Sequence, residues 1–491
     1  MSAAFASIED CDVLIVGGGP TGVTLAGLLA KRGVSVIVAE KEADIYPLPR
    51  AAHIDHEGMR IVQEAGAAEA VMATSRRADA YEFRNAKGKV LLCFDGAESI
   101  GPGGWPVANM IHQPSVEAAL RTALAARAPD ALRCGWEMLS FREDGEGVTA
   151  QFATPAGERL IRARWLVGAD GARSPVRKAC GITFEDLGFE EPWLVVDALV
   201  DDPSRLPTAN LQICDPARPT TCVLMGEGRH RWEFMILPGE TPEEVSSDAA
   251  VTRMLAPWKV DGAVRIERRA VYTFRARIAE RWRKGRVLLA GDAAHQTPPF
   301  AGQGLCSGLR DAANLAWKLA AVTRGEASAA LLDTYPPERA PNLRATIDMA
   351  IMMGRMVCTT NRFAALLRDT KLALARMLGK LPGGPPAYPP LGEGAILAGS
   401  PGAGSYFPQL RGADGVLLDD TLGPDAWLIR RADLAEPRVA PFAAGLAEWL
   451  DHHAAAAVLV RPDHYVFGAG EPEALMQSWE AAMAMPAGSG Q

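Results

Sequence analysis

At 491 residues the chain exceeds one ordinary hydrophobic core, so two or three structural units are expected. Its composition, 48% hydrophobic and 22% charged with a formal net charge of −8, fits an acidic globular enzyme and excludes the basic footprint of a nucleic-acid or anionic-membrane binder. No apolar run approaches the roughly 20 residues that span a bilayer, and the 8 cysteines contain no CxxC pair, which argues against a disulfide scaffold or a zinc site.

The stretch MSAAFASIEDCDVLIVGGG has no basic segment and reaches glycine early, so no leader peptide is expected and a reducing, cytoplasmic location fits. Residues 11–16 form a short apolar run rich in branched side chains, suited to a buried parallel strand. Gly17-Gly18-Gly19-Pro20-Thr21-Gly22 follows, then a small-residue helix pattern over 21–31, a break at Gly33, and a second buried strand over 34–39 that ends at Glu40. This is a βαβ unit with a GxGxxG turn. Gly17 permits the tight turn, Gly19 lets backbone approach a pyrophosphate, and Gly22 lets helix and strand pack closely. The helix N-terminus favours anionic phosphates, and Glu40 is placed to accept hydrogen bonds from an adenosine ribose. A glycine-rich turn without a ligand is the plain alternative.

Residues 115–128 read as a helix with Ser115 as its N-cap. A strand at 165–167 leads into Gly168-Ala169-Asp170-Gly171, continued by the more distinctive Arg173-Ser174-Pro175-Val176-Arg177. Between about 190 and 277 the segments WLVVDALV, TCVLMGEG and RWEFMILP alternate in the manner of an antiparallel sheet. Parallel patterning returns at 286–290, followed by Gly291-Asp292-Ala293-Ala294-His295, then Pro298, Pro299 and Gly302-Gln303-Gly304, which opens a helix to about 324. Asp292 sits where a strand ends and suits a ribityl hydroxyl. Backbone amides at Gly302 to Gly304 suit a flavin pyrimidine oxygen. His295 reads as a structural or supporting residue. The Pro- and Gly-dense stretch 381–404 reads as a linker, and VLLDD, AWLIRR and AAVLVRP beyond it are strand candidates of a separate C-terminal domain.

Together the glycine, Asp-Gly and Gly-Asp motifs resemble those of the FAD-dependent aromatic hydroxylases, single-component flavoprotein monooxygenases with the para-hydroxybenzoate hydroxylase fold. The likeness runs over roughly residues 10–345. Stretches outside the cofactor motifs, at 46–66, 213–219, 231–240, 271–282 and 331–348, are similar to 3-(3-hydroxyphenyl)propionate hydroxylases, whereas the C-terminal region matches less well.

The resemblance implies an α/β fold: a Rossmann-like FAD-binding domain with a helical extension (1–80, 104–189 and 278–380) and an inserted antiparallel-sheet substrate domain (81–103 and 190–277). The 381–404 linker then leads to a C-terminal thioredoxin-like domain (405–491) without CxxC. No cysteine follows Cys358, so thiol–disulfide chemistry is excluded from that domain.

FAD is the implied cofactor, NADH or NADPH the co-substrate, and a small phenol and O2 the reactants, hydroxylation passing through a flavin C4a-hydroperoxide. Implied cofactor contacts are Gly17, Gly19, Pro20, Thr21 and Gly22 in the first motif, with Glu40 and Lys41 after the second strand. Arg50, Gln113 and Arg121 join them, as do Asp170 and Asp292, and finally Gly302, Gln303, Gly304 and Leu305. Pro298 and Pro299 are expected beside the flavin ring, and Tyr272 at the substrate oxygen. Arg218 or Arg275 is expected to pair a substrate carboxylate, and His53 to sit near flavin or substrate. Core packing or a solvated charge is the plain alternative at each.

Rival readings are the same chemistry on a resorcinol-type or polyketide ring, a flavin halogenase, and a non-catalytic FAD-binding redox sensor. The Trp-x-Trp-x-Ile-Pro motif of the halogenases does not occur, and the Pro298-Pro299 loop disfavours the sensor. Regiochemistry and oligomeric state are left open, a homodimer included.

Overall fold

The computed structural model describes residues 8–96, 99–381 and 388–484. Residues 1–7 and 485–491 of the expected terminal domains, 97–98 of the substrate domain and 382–387 of the expected linker lie outside the described residues.

The chain opens with β1 (Ile8–Val16), α1 (Pro20–Lys31) and β2 (Val36–Glu40). Val13, Leu14 and Ile15 are wholly buried, as a strand covered on both faces requires. In α2 (His56–Ala65) the Asp55 side chain caps the first turn, accepting from the Gly58 amide at 2.7 Å. The hairpin β3 (Tyr81–Asn85) and β4 (Val90–Phe94) follows. Helix α3 (Gln113–Arg127) starts two residues earlier than the sequence pattern indicates, because Pro114 fits a first helical turn that needs no N–H there. Ser115 is accordingly not the cap; its hydroxyl donates to Glu227 at 2.7 Å.

Then come β5 (Leu132–Cys134), β6 (Gly157–Gly168), β7 (Phe184–Val200), β8 (Asn210–Cys214), β9 (Thr220–Leu224), β10 (Arg229–Met235), β11 (Val264–Ala279) and β12 (Val287–Leu289). One eight-stranded sheet contains the order β12-β6-β1-β2-β5, all mutually parallel. A second eight-stranded sheet contains the order β11-β7-β10-β9-β8-β3-β4, antiparallel except where β8 meets β3. The 81–94 hairpin, which falls within the 81–103 segment expected in the substrate domain, thus completes the sheet built by 184–279, whose outer strands run a few residues past the expected 190–277.

Helices α4 (Gly304–Thr323), α5 (Tyr335–Val357) and α6 (Arg362–Met377) precede the C-terminal unit. That unit holds β13 (Trp427–Arg430), α7 (Ala443–His452), β14 (Ala457–Val460), β15 (Val466–Gly470) and α8 (Pro472–Met483). Its described sheet is wholly antiparallel, β13-β14-β15. The VLLDD stretch is not a strand: Leu418–Leu422 is a short helix with Asp419 and Asp420 in its first turn, where helix amides favour carboxylates. Asp419 is drawn inward to Arg60 of α2, Nε to Oδ2 at 2.7 Å.

Candidate active site

The carboxyl ends of β12, β6 and β1 converge on a cavity of about 390 Å3, whose other wall is the second sheet. A crevice outside the carboxyl ends of parallel strands is where α/β folds bind ligands. Gly19, Pro20 and Thr21 at the start of α1 line it, as do Ala169 and Gly171 after β6 and Asp292 after β12.

The first turn is built by close approach. Gly17 has φ +111°, and a Cβ there would run into the Ala169 carbonyl; a Cβ on Gly22 would run into the Gly17 carbonyl. At Gly19 the opposite holds: a Cβ would meet nothing within 4 Å, because the space belongs to the cavity. No side chain caps α1, so its first amides remain available to an anion. Glu40 Oε2 accepts from the Gly18 amide at 2.6 Å. Arg121 donates to the Gly18 carbonyl at 3.0 Å and to Glu117 at 2.7 Å, steadying the turn from α3. Gln113 Oε1 accepts from the Arg50 and Ala51 amides at 3.1 and 2.8 Å, fixing that segment along the cavity.

After β12 the chain turns through Gly291–Ala293. Asp311 of α4 locks the turn, with Oδ2 3.0 Å from the Gly291 amide and 2.6 Å from His295 Nε2, and Oδ1 3.0 Å from Arg339 Nε. His295 is thereby structural. Asp292 itself is exposed to the cavity and has no hydrogen-bond partner among the described residues, and desolvation within the cleft pushes its carboxyl above the ordinary value. Thr297 Oγ1, also on the cavity wall, is buried without a partner. Helix α4 points its uncapped N-terminus into the same space, where a Cβ on Gly304 would meet nothing within 4 Å. His53 donates to the Gly302 carbonyl at 3.1 Å, and burial holds its imidazole below the ordinary value.

These features fit FAD. Two uncapped helix N-termini offer amides to a pyrophosphate and to a flavin oxygen. Glu40 and the unpartnered Asp292 offer acceptors to sugar and ribityl hydroxyls, and the open side of Gly19 leaves the room that backbone contact needs.

The opposite wall follows from strand alternation. On β10, Trp232 and Phe234 pack outward with Leu194 and Val196 in a separate core, so Arg231 and Glu233 face the cavity. Register aligns Glu233 with Thr221 on β9, and Thr221 with Gln212 on β8. Thr221 donates to Gln212 Oε1 at 2.7 Å, Gln212 to the Tyr81 hydroxyl at 2.9 Å, and Tyr81 to the Phe300 carbonyl at 2.7 Å. Arg231 is held by Asp197 (Nε to Oδ1, 2.6 Å) and by the Pro49 and Arg50 carbonyls, each at 2.7 Å. Glu233 accepts no hydrogen bond from any described residue; its nearest cation is Arg231 at 3.8 Å, and burial pushes its carboxyl up to about 7. Tyr81, Gln212, Thr221, Arg231, Glu233 and Thr297 were not singled out from sequence, although the polar–aromatic alternation of RWEFM carried the signal for two of them.

Of the residues singled out from sequence, the cavity gathers Gly19, Pro20, Thr21, Arg50, Gln113 and Asp292 with His53, Pro299, Gly302, Gly304 and Leu305. Others stand elsewhere. Neither arginine expected to pair a substrate carboxylate reaches the cavity: Arg218 is held by Glu240 at 2.7 Å and the Met235 carbonyl at 2.9 Å, and Arg275 by Glu190 at 2.8 Å on the surface. Tyr272 lies on β11 outside the lining, with the Arg268 guanidinium 5.0 Å from its ring. Gln303 turns away to Arg310 (3.0 Å) and Tyr388 (2.9 Å). Asp170 accepts from the Val176 amide at 2.9 Å, leaving its backbone neighbours to line the cavity. Lys41 is exposed and paired with Glu42 at 3.4 Å, and Pro298 is not part of the lining.

Residues 10–350 match the family described as FAD binding domain. A 3-(3-hydroxy-phenyl)propionate/3-hydroxycinnamic acid hydroxylase of Mycobacterium avium (strain 104) is 38% identical over 455 residues, spanning 85% of this chain and 76% of that protein. A probable NADH-specific resorcinol 4-hydroxylase of Rhodococcus jostii (strain RHA1) is 36% identical, spanning 93% of this chain and 91% of that protein. Among solved structures, aklavinone-11 hydroxylase in a ternary complex with FAD and aklavinone is similar with a TM-score of 0.79 at 26% identity, spanning 98% of this chain and 100% of that one.

Proposed function

The chain belongs to the FAD binding domain family, and from that premise we propose that it is an FAD-dependent, NAD(P)H-consuming monooxygenase that hydroxylates a small phenolic ring. The observation that carries this reading is one cavity shared by two uncapped helix N-termini, an unpartnered Asp292 and a polar sheet face. Bound FAD supplies hydride acceptance and dioxygen activation, chemistry that amino-acid side chains do not perform.

The protein's own residues bind, orient and exclude water. The α1 turn, Glu40 and Asp292 hold the dinucleotide. The Phe300 ring packs against Trp193 (5.7 Å between centroids) and Phe274 (5.9 Å), holding the Pro299–Ala301 turn against the cavity between the two sheets. An enclosed site keeps water from competing with the ring for the activated oxygen. The named relatives support a 3-(3-hydroxyphenyl)propionate-type or a resorcinol-type ring, and the aklavinone complex supports a polyketide ring as the outer alternative. No helix among the described residues is long and apolar enough to cross a membrane.

Purified protein is expected to be yellow, to oxidise NADH or NADPH slowly alone and faster with a phenol present, and to yield a product one oxygen heavier. Flavin retained without any phenol-stimulated oxidation would favour a redox sensor instead. Peroxide measured alongside cofactor consumption separates hydroxylation from uncoupled turnover.

A further inference from the structure

Resting on that reading, we propose that Glu233 accepts the hydrogen bond of the substrate's phenolic hydroxyl, and that the wall around it selects uncharged phenols over phenols bearing a carboxylate. Glu233 faces the cavity from the middle of the second sheet with no hydrogen-bond partner among the described residues. Neighbouring hydroxyls have already committed their donors, Thr221 to Gln212 and Tyr81 to the Phe300 carbonyl, and Gln212 gives one of its two amide hydrogens to Tyr81. What this wall still offers is mostly acceptor capacity, at the Glu233 carboxyl and at the Thr221 and Tyr81 hydroxyl lone pairs. A hydroxyl can donate there, whereas an ionised carboxylate only accepts, and beside Glu233 the second amide hydrogen of Gln212 is the donor left to it.

Charge points the same way. Two charged groups act on Glu233, Arg231 on its own strand and Asp197 on β7, and they neutralise one another at 2.6 Å. Arg268 on β11 shares Asp197 (3.4 Å) and the Pro49 carbonyl (2.8 Å) and lies outside the cavity lining. Tyr81 on β3 is kept protonated by burial. Arg50 acts at the nucleotide end, on Asp292 and Glu117, and His53 is held toward its neutral form. A substrate carboxylate beside ionised Glu233 would therefore meet a like charge, while the cation nearest Glu233, Arg231, is already paired with Asp197. With its carboxyl pushed up to about 7, Glu233 is also matched to taking up a phenolic proton near neutrality.

The test is ligand titration of FAD-loaded protein by calorimetry and flavin difference absorbance. Four probes are used: resorcinol, its dimethyl ether, 3-(3-hydroxyphenyl)propionate and the primary amide of that acid. Resorcinol should bind at least about tenfold more tightly than its ether, and the amide at least about tenfold more tightly than the acid. Resorcinol affinity should rise as pH rises through about 7, where Glu233 ionises and becomes the better acceptor. Glu233→Gln should keep its flavin, lose about tenfold or more in resorcinol affinity and lose the pH dependence. An acid that binds as tightly as its amide overturns the proposal, as does a Glu233→Gln protein with unchanged affinity and pH profile. If the variant does not fold, a flat pH profile in the unaltered protein overturns it equally. Unaltered protein that binds none of the four probes overturns both this inference and the hydroxylase reading, whereas tight acid binding leaves the latter standing.

Discussion

Asp292 and Glu233 are carboxyls facing one cavity from opposite walls, Asp292 open to it and Glu233 buried, and desolvation raises both above their ordinary values. Their surroundings separate their tasks. Asp292 stands at the end of a parallel strand in a turn locked by Asp311, a rigid mount for a hydrogen-bond acceptor. Glu233 stands on a sheet among hydroxyls whose hydrogens are committed, its own carboxyl left without a donor. Asp292→Ala should therefore act on the cofactor: a lost hydrogen bond to a carboxylate is worth about 1.5–3 kcal/mol, or roughly ten- to a hundredfold in FAD affinity. The ratio of flavin to protein absorbance after dilution reads this directly, and an unchanged ratio would remove Asp292 from the cofactor site. The two substitutions should not mimic each other, since Glu233→Gln is expected to leave flavin content untouched.

At the scale of elements, the β1–α1 turn separates two reasons for glycine. A Cβ at Gly22 meets the Gly17 carbonyl, whereas one at Gly19 meets only cavity. Gly22→Val should lower the unfolding midpoint even without flavin, by about 1–3 kcal/mol of overpacking; Gly19→Val should leave the flavin-free midpoint in place and reduce FAD loading. Thermal unfolding of both variants with and without FAD checks this, and equal effects at the two positions would defeat the distinction. Local signals of this kind are why the turn, the Asp292 strand end and the α4 N-terminus could be read in the chain: strand, glycine and helix follow one another within a few residues. The substrate wall could not be read so easily. Gln212, Thr221 and Glu233 meet only because β8, β9 and β10 pair in one register, and Tyr81 joins them across a parallel contact from more than a hundred residues away. Arg218 and Arg275 were plausible carboxylate partners by type alone; what committed them elsewhere was a glutamate supplied by the fold. VLLDD reads as a strand by composition, yet Asp419 is needed at a helix start where it reaches Arg60.

Across the whole molecule, the C-terminal unit is wired to the cofactor domain through buried charge rather than attached by a loose tether. Arg461 donates to Asp463 at 3.0 and 2.6 Å, to Glu338 of α5 at 2.8 Å, and to the Ala395 carbonyl at 3.0 Å. Lys318 and Asn314 of α4 reach the same Glu338 oxygen at 2.7 Å each. The Glu338 carboxyl is held well below the ordinary range by Arg461 and Lys318 despite its burial, and Lys318 is brought down to about 8 by that burial. Two cations and two carboxylates balance, so the cluster is tolerated where a single unpaired member would not be. A second cluster, Arg60 with Asp419 and the Phe407 carbonyl, ties the unit to α2. Trp479 of α8 also stacks on Trp317 of α4, 5.7 Å between ring centroids. Because α4 is the helix whose N-terminus opens the cavity, loss of this docking should be felt at the flavin. Arg461→Met leaves Glu338 and Asp463 short of a partner, which should cost about 3–5 kcal/mol and weaken FAD retention together. Calorimetry should record one endotherm for the unaltered protein, moved down in the variant along with the temperature of flavin release. Two well-separated endotherms in the unaltered protein, or a variant that unfolds earlier yet holds FAD as before, would mean that the C-terminal unit folds on its own account and that its buried charges serve only the join.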